Sequence, residues 1–198
     1  MPVAELPQRH PAEWRRAVGH PFLHAVRDGT LPAAAFDTWL VQDAGFIADL
    51  LRFQARLLAR APRQAQPVLA GGVTALVEEL AWFEQQAAAR GLDLAAPALP
   101  ATARYAQLLE RLDAADVPTA LVALWTIERT YLDAWSGARP GAPEYREFIE
   151  HWTAPAFAEY VAALEVVADR AGPVGTGEFF LEVVAAEIAF WDMAVDAR

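Results

Sequence analysis

The sequence predicts an all-α protein, in which residues 1–198 form a single domain folded as a bundle of about eight helices. Apolar residues recur three, four and seven positions apart along nearly the whole chain, which is the periodicity of a helix with one buried face. The alternation typical of strands is not evident, and proline and glycine mark the breaks between helical stretches. With 198 residues, 55% of them hydrophobic, the chain is long enough to bury a large core.

The first predicted helix begins at Pro11, which suits the first position of a helix, and runs to about Arg27. Asp28-Gly29 is expected to end it, because glycine adopts the left-handed conformation that closes many helices. Thr30 can cap the next helix, which should be long and reach Arg60.

The middle and end of the chain continue the helical pattern. Gly71-Gly72 is expected to break or kink the next segment, which is helical again from Val73 to Arg90 with Gly91 as its C-cap. A loop with prolines follows over 92–100. Further helices are predicted at about 101–114, 118–136, 143–152, 154–171 and 177–196, and the last two are separated by Gly172-Pro173 and Gly175.

Composition excludes several classes of function. A net charge of −10 disfavours binding to nucleic acid or to anionic membrane surfaces. The chain has no cysteine, and all 16 basic residues are arginine, which excludes thiolate nucleophiles and Schiff-base lysines. Neither a signal peptide nor an apolar run of about 18 residues is visible, so a cytoplasmic protein that does not contact membranes is expected.

Four helical stretches place a hydrogen-bonding side chain at a position that the periodicity assigns to the core. These side chains are Asp43, Tyr105, Glu128 and Glu187. An isolated buried carboxylate costs several kcal/mol, or shifts its pKa by about 3–5 units. Three carboxylates that point inward from three helices therefore favour a polar pocket.

Each of these residues also has a purely structural interpretation. Asp43 could bind a helix end or an arginine, and Glu128 could form a buried ion pair with Arg129 or Arg52. The aromatic residues that could wall a pocket are equally good packing residues; they are Phe46, Trp125, Tyr131, Trp135 and Trp152.

Two other patterns point away from a site. The pair Glu78-Glu79 is interpreted as part of a solvated helix face. A di-iron bundle would need Glu-x-x-His pairs, but Tyr131 and Phe190 occupy the third position after Glu128 and Glu187, so neither a metal nor a cofactor is expected. His20 precedes a proline, which favours a capping or loop role.

Several segments resemble the TenA family, which comprises thiaminase II and its relatives. The segments that resemble the N-terminal signature of this family are His20-Pro21-Phe22, Asp28-Gly29-Thr30-Leu31-Pro32, Phe36 and Leu40-Val41-Gln42-Asp43. Later segments match in the same order, at Tyr105, Ala123-Leu124-Trp125 and Glu187-Ile188-Ala189-Phe190-Trp191. The resemblance covers nearly the whole chain and implies a haem-oxygenase-like fold, a role in thiamin salvage, and a homo-oligomer, either a dimer or a tetramer.

The resemblance also implies roles for particular residues. Asp43 looks like the family's pyrimidine-binding aspartate, Tyr105 like its pocket tyrosine, and Glu187 like its catalytic glutamate. The nucleophilic cysteine of most members would fall at about Ala123, and two further pocket tyrosines fall at Phe46 and Trp152.

The missing cysteine argues against cleavage of thiamin itself. In this respect the chain resembles a cysteine-lacking branch of the family. Members of that branch are linked to salvage of amino- and formylamino-pyrimidines, and Glu128 is the candidate for the glutamate that acts there. The expected function is therefore hydrolysis of such a small-molecule pyrimidine, with Glu128 and Glu187 as base and acid and with Asp43, Tyr105, Phe46, Trp152 and Tyr131 around the ring. The alternatives are a pyrimidine- or thiamin-binding protein without activity and, less favoured, a metal-dependent oxidase on the same fold.

Overall fold

The helices of the protein are all α-helices apart from two short 3₁₀ turns, as seen in a computed structural model that describes residues 2–172 and 177–196. The predicted all-α class is confirmed: the described residues contain eight helices of eight residues or more and two shorter ones. The helices are α1 (Leu6–Arg9), α2 (Pro11–Val18), α3 (Pro21–Asp28), α4 (Ala33–Arg60), α5 (Gln66–Arg90), α6 (Pro100–Ala114), α7 (Val117–Gly137), α8 (Arg146–Trp152), α9 (Pro155–Arg170) and α10 (Gly177–Asp196). The 3₁₀ turns are Val3–Glu5 and Pro143–Tyr145.

The prediction of a single helix from Pro11 to Arg27 is wrong, because the helix is interrupted at Gly19-His20 and two helices, α2 and α3, form instead. The residue before a proline avoids the helical conformation, and His20 before Pro21 is extended, with φ −65° and ψ 147°. The His20 ring nitrogen Nδ1 accepts a hydrogen bond of 3.2 Å from the backbone N–H of Phe22. His20 therefore caps α3, as the sequence suggested.

Thr30 does not cap α4, contrary to prediction. Gly29 ends α3 with φ +69°, and the backbone N–H of Thr30 then donates to the carbonyl oxygen of Ala25, at 2.9 Å. This bond is the closing turn of α3, so Thr30 belongs to the end of one helix instead of the start of the next. The helix α4 follows at Ala33 and ends at Arg60, where the sequence placed its end.

The helix α5 runs without interruption through Gly71-Gly72, so the predicted break is wrong. Gly72 is small for a packing reason. A Cβ built on it would overlap the Gln54 amide and the Tyr160 ring, whose Cζ atom would lie 2.7 Å away. This glycine lets α4 and α9 approach the backbone of α5 closely.

The remaining helices agree with prediction to within one residue, except that α8 begins at Arg146 instead of 143, after the 3₁₀ turn Pro143–Tyr145. Gly91 ends α5 with φ +67°, which confirms its role as a C-cap. Of the break predicted before the last helix, Pro173 and Gly175 lie outside the described residues. Over the described residues, none of the helices combines the length and the apolar character needed to cross a membrane.

The core lies where α4, α7 and α10 pack against one another, with α5 and α9 on the other side of α4 and α7. It is dominated by large aromatic side chains that connect several helices. Trp135 on α7 stacks on Trp152 of α8, with ring centroids 4.8 Å apart, and Trp39 of α4 lies 5.3 Å from Trp135. Aromatic pairs at such separations add to the stabilisation that burial provides.

Replacing Gly72 with alanine is expected to destabilise the protein by about 1–3 kcal/mol, since the added methyl group overpacks the contact with Gln54 and Tyr160. Gly71→Ala is the matched control, because a Cβ at Gly71 would meet nothing within 4 Å. That variant should gain about 0.5–1 kcal/mol from helix propensity. Urea unfolding of both variants measures the difference, and equal effects would contradict this account of the packing.

Candidate active site

A cavity of about 520 Å³ lies between α4, α5, α7, α8 and α9. A volume of this size is typical of small-molecule sites. Its walls are mostly apolar, and polar side chains reach it from four helices. The residues that line the cavity include Phe46, Glu79, Glu128, Tyr131, Trp152 and Tyr160.

Four of the seven residues predicted for the site line this cavity, namely Phe46, Glu128, Tyr131 and Trp152. The other three are Asp43, Tyr105 and Glu187, which are almost completely buried behind that wall. Asp43 contacts the lining residue Tyr131 directly. Glu187 is connected to the lining residue Phe46 through Tyr105.

Asp43 is held from α7 by Tyr131, whose hydroxyl donates to Oδ1 at 2.6 Å. The other carboxylate oxygen, Oδ2, is buried without a hydrogen-bond partner. Burial, together with the charges of Glu79 and Glu187, raises the pKa of Asp43 well above its usual range. The neighbouring helix end or arginine considered from the sequence is therefore not its partner.

Glu187 has the same arrangement with a different tyrosine. The Tyr105 hydroxyl donates to Oε1 of Glu187 at 2.5 Å, and Oε2 is buried without a partner. Burial raises the pKa of Glu187 to about 8, although the bond from Tyr105 opposes the shift. The Tyr105 ring packs against Phe46, with centroids 4.5 Å apart, and Phe46 forms the cavity wall.

Glu128 faces the cavity and does not form the ion pair that the sequence left open. Arg129 binds Asp133 instead, at 2.9 Å, and Arg52 binds Asp49, at 2.6 Å. Burial, followed by the charges of Glu79 and Glu187, raises the pKa of Glu128 to about 8. Glu128 is thus a carboxyl group that reaches the cavity and that keeps its proton to a higher pH than an exposed glutamate does.

Glu79 does not lie on a solvated face, contrary to the interpretation of Glu78-Glu79. Its Oε1 accepts a bond of 2.8 Å from the Trp152 indole N–H, and it lies 3.6 Å from Nε2 of His151. Both partners come from α8, which covers this face of α5, and the local sequence of α5 gives no sign of that contact. Glu78 is exposed, as predicted, and lies at the rim of the cavity.

Tyr160 and Gln54 are polar residues of the site that the sequence analysis missed. Tyr160 lines the cavity, and Gln54 is fully buried beside it. Gln54 lies between Leu50, Phe53 and Leu57 on the apolar face of α4, so the criterion that identified Asp43 would have identified it too. Over residues 2–172 and 177–196, no group of three or more His, Asp or Glu side chains is arranged to hold a metal ion.

The sequence model of the TENA/THI-4/PQQC family matches residues 8–197. The chain belongs to this family. The resemblance to TenA proteins that the motifs predicted is therefore confirmed.

Individual relatives agree with this assignment. A protein from Glycine max, described as a probable bifunctional TENA-E protein, is 30% identical over an alignment 208 positions long. The alignment covers 94% of this chain and 90% of that protein. The X-ray structure of a TenA homologue from Pyrococcus furiosus has a TM-score of 0.91 and 32% identity, covering 98% of this chain and 100% of that one. A TenA family transcription regulator from Silicibacter sp. TM1040 has the same TM-score at 19% identity, covering 99% and 97% of the two chains, and shows the shared fold alone.

Membership of the TenA family supports a role in thiamin salvage and a hydrolase-type activity. This chain has no cysteine, and Ala123, where the resemblance would place that nucleophile, is fully buried and does not line the cavity. On α7, the side chain that brings a carboxyl group to the cavity is Glu128.

The stability of this TenA protein should fall as the pH rises from about 4.5 to about 8. The folded protein retains a proton on Glu187 in that range and the unfolded chain does not, so the stabilisation is complete below the unfolded pKa and is lost as pH approaches the folded pKa. At about 1.4 kcal/mol per pKa unit, the change is on the order of a few kcal/mol.

Urea unfolding between pH 5 and 8.5 measures this change, and Glu187→Gln should reduce the slope without removing it, because Glu128 contributes in the same direction. Glu182→Gln, on the exposed side of α10, should leave the slope unchanged. Identical slopes for wild type and Glu187→Gln would contradict the raised pKa of Glu187.

Proposed function

We propose that this protein hydrolyses an aminomethyl- or formylaminomethyl-pyrimidine, releasing the amine or the formyl group in thiamin salvage. The observation that carries the proposal is the pair Glu128 and Glu187. One carboxyl group reaches the cavity, and the other has an unpaired oxygen behind its wall. Two interacting carboxyl groups in an apolar site are suited to separate roles as acid and base.

Asp43 is proposed to bind the pyrimidine ring. Tyr131 already satisfies Oδ1, so the unpaired Oδ2 can accept a bond from an exocyclic amino group of the ring. Phe46 and Trp152 supply the aromatic surfaces against which a flat heterocycle packs. Specificity follows because a ring without that donor would leave a buried carboxylate oxygen unpaired.

Glu187 is proposed to be the general acid. With a pKa of about 8 it carries a proton at pH 7. Its Oε1 accepts the Tyr105 hydroxyl, so the proton resides on Oε2, the oxygen that has no partner. A carboxylic acid with an uncommitted proton in a buried site can protonate a leaving nitrogen.

Glu128 is proposed to be the general base. The charge of Glu187 is one cause of its raised pKa, so a protonated Glu187 makes Glu128 the easier of the two to ionise. For the amine, Glu128 takes a proton from water while the water oxygen bonds to the methylene carbon. The carbon–nitrogen bond breaks with its electron pair on nitrogen, which Glu187 protonates, so that ammonia and a hydroxymethyl product leave.

The charge of the cavity supports an amine as substrate. Glu78, Glu79 and Glu128 line it, and of its lining residues only His151 can carry a positive charge. A protonated aminomethyl group would be attracted to such a site and would pass its extra proton to a carboxylate there before the carbon–nitrogen bond breaks, whereas a phosphorylated ligand would be repelled.

Glu187→Gln is expected to lower kcat for aminomethylpyrimidine by about 10²–10⁴-fold, because the amide keeps the hydrogen bond from Tyr105 and cannot protonate the leaving group. Ammonia release measures kcat, and Glu182→Gln is the control on the same helix. Turnover of Glu187→Gln near the wild-type rate would contradict the assigned role.

Glu128→Ala should slow the chemical step in single-turnover experiments by a similar factor, since water is then not activated. Asp133→Asn is the matched control on α7, because Asp133 pairs with Arg129 away from the cavity. An unchanged single-turnover rate would return Glu128 to a structural role. Tight calorimetric binding of the pyrimidine by wild type without any release of ammonia or formate would favour the non-catalytic binding protein instead.

A further inference from the structure

Gln54 is a fully buried amide that connects α4 to both α5 and α9. Its Nε2 donates to the backbone carbonyl of Leu69 at 3.0 Å and to the Tyr160 hydroxyl at 2.9 Å. Both N–H groups are thereby used, while Oε1 is buried without a partner. Leaving a buried amide oxygen unpaired costs stability, so the contacts of the amide nitrogen must hold Gln54 in this orientation.

The Leu69 carbonyl determines which way the amide faces. A carbonyl oxygen only accepts hydrogen bonds, so the Gln54 nitrogen must face it, and the same nitrogen faces Tyr160. An amide nitrogen only donates, so the Tyr160 oxygen is the acceptor in this bond. The Tyr160 proton is therefore left for another acceptor.

The Tyr160 hydroxyl is located at the cavity. It lies against Gly72, which lines the cavity and has no side chain to cover the hydroxyl. The other aromatic donors in the lining are already committed: Tyr131 donates to Asp43, Trp152 to Glu79 and Trp82 to Glu147. Tyr160 is thus a hydroxyl donor of the cavity wall whose proton has no acceptor among the residues that the structure describes.

The cavity also lacks a cationic group that could face a developing negative charge. No arginine is among the described residues that line it, and His151 lies beside Glu79. An oxyanion that formed between these carboxylates would need a neutral, preorganised donor.

We infer that Tyr160 is a further catalytic residue, whose hydroxyl donates a hydrogen bond to the acyl oxygen of an N-acylated aminomethyl substrate, and that Gln54 is the positioning residue that fixes this direction. The inference rests on the proposed hydrolytic function and adds to it the group that holds the acyl oxygen of the carbonyl-bearing substrate.

The acyl reaction requires no further reagent. Glu128 takes a proton from water, the water oxygen bonds to the acyl carbon, and the carbonyl electron pair moves onto the oxygen that Tyr160 holds. The carbonyl then re-forms as the carbon–nitrogen bond breaks, and a glutamic acid protonates the nitrogen. The products are the free amine and a carboxylic acid, and Tyr160 retains its proton throughout.

Tyr160→Phe tests the inference on two substrates, an N-formyl aminomethylpyrimidine and the free amine. Formate release should lose about 10²–10³-fold in kcat with a smaller change in KM, because the donor acts on the oxyanion, whereas ammonia release from the amine, which forms no oxyanion, should fall far less. The ratio of the two activities in one preparation does not depend on how much of the protein is folded. Tyr145→Phe is the matched control, since the Tyr145 hydroxyl donates to the Leu31 carbonyl away from the cavity.

Gln54→Leu tests the positioning role. On its own, Gln54→Leu should lower the ratio of formate release to ammonia release. In the Tyr160→Phe background it should lower that ratio no further, because Gln54 acts through Tyr160. Additive losses of the ratio would overturn the positioning role, since Gln54 would then act without Tyr160. An unchanged ratio in Gln54→Leu would overturn it too, since a merely structural residue reduces both activities by one factor.

The remaining outcomes are also decisive. Wild type that releases ammonia from the amine but no formate would overturn the inference while the proposed function stands. Equal formate release by wild type and Tyr160→Phe would do the same. Wild type that acts on neither compound would overturn the proposed function, and the inference with it.

Discussion

Two hydrogen bonds from tyrosine to carboxylate, each across a pair of helices, are the constraint on which the site depends. Tyr131 of α7 satisfies one oxygen of Asp43 on α4, and Tyr105 of α6 satisfies one oxygen of Glu187 on α10. Each bond leaves the second oxygen of a buried carboxyl group unpaired. Because an unpaired buried charge is costly, the pKa values of both acids rise, and what is held beside the cavity wall is a pair of groups ready to bind a donor or to release a proton.

The opposite wall of the cavity depends on close packing instead. Gly72 allows α4 and α9 to reach the backbone of α5. In that contact Gln54 donates to the Tyr160 hydroxyl oxygen and so orients the hydroxyl group. Beside it, the Trp152 indole holds Glu79 at the cavity, while the Trp152 ring stacks on Trp135 in the core. Polar groups at this wall are therefore oriented by the same contacts that stabilise the bundle, so they are fixed before a ligand arrives.

In the proposed function, the cavity has no cysteine to use and obtains its reactivity from carboxyl groups whose pKa values are raised. Glu128 and Glu187 belong to different helices, and both have a pKa raised to about 8 by burial. Their charges also act on each other, so one can be ionised while the other is protonated. The chain belongs to the TenA family, and in the proposed function this arrangement serves as an acid–base alternative to a thiolate that the sequence cannot supply.

The sequence by itself determined the helical class, most helix bounds and the inward direction of Asp43, Tyr105, Glu128 and Glu187, because helical periodicity is a local property that each segment carries alone. It failed where a residue's role is set by another helix: Gly72 was taken for a break when it is a packing contact, and Glu79 was assigned to solvent although α8 covers it. Even Gln54, whose burial the pattern contained, had no partner visible in the sequence, since Leu69 and Tyr160 come from two other helices. Only the tertiary structure decided which tyrosine serves which acid and which proton is left free, because hydrogen bonds depend on the distance and direction between atoms that the fold brings together.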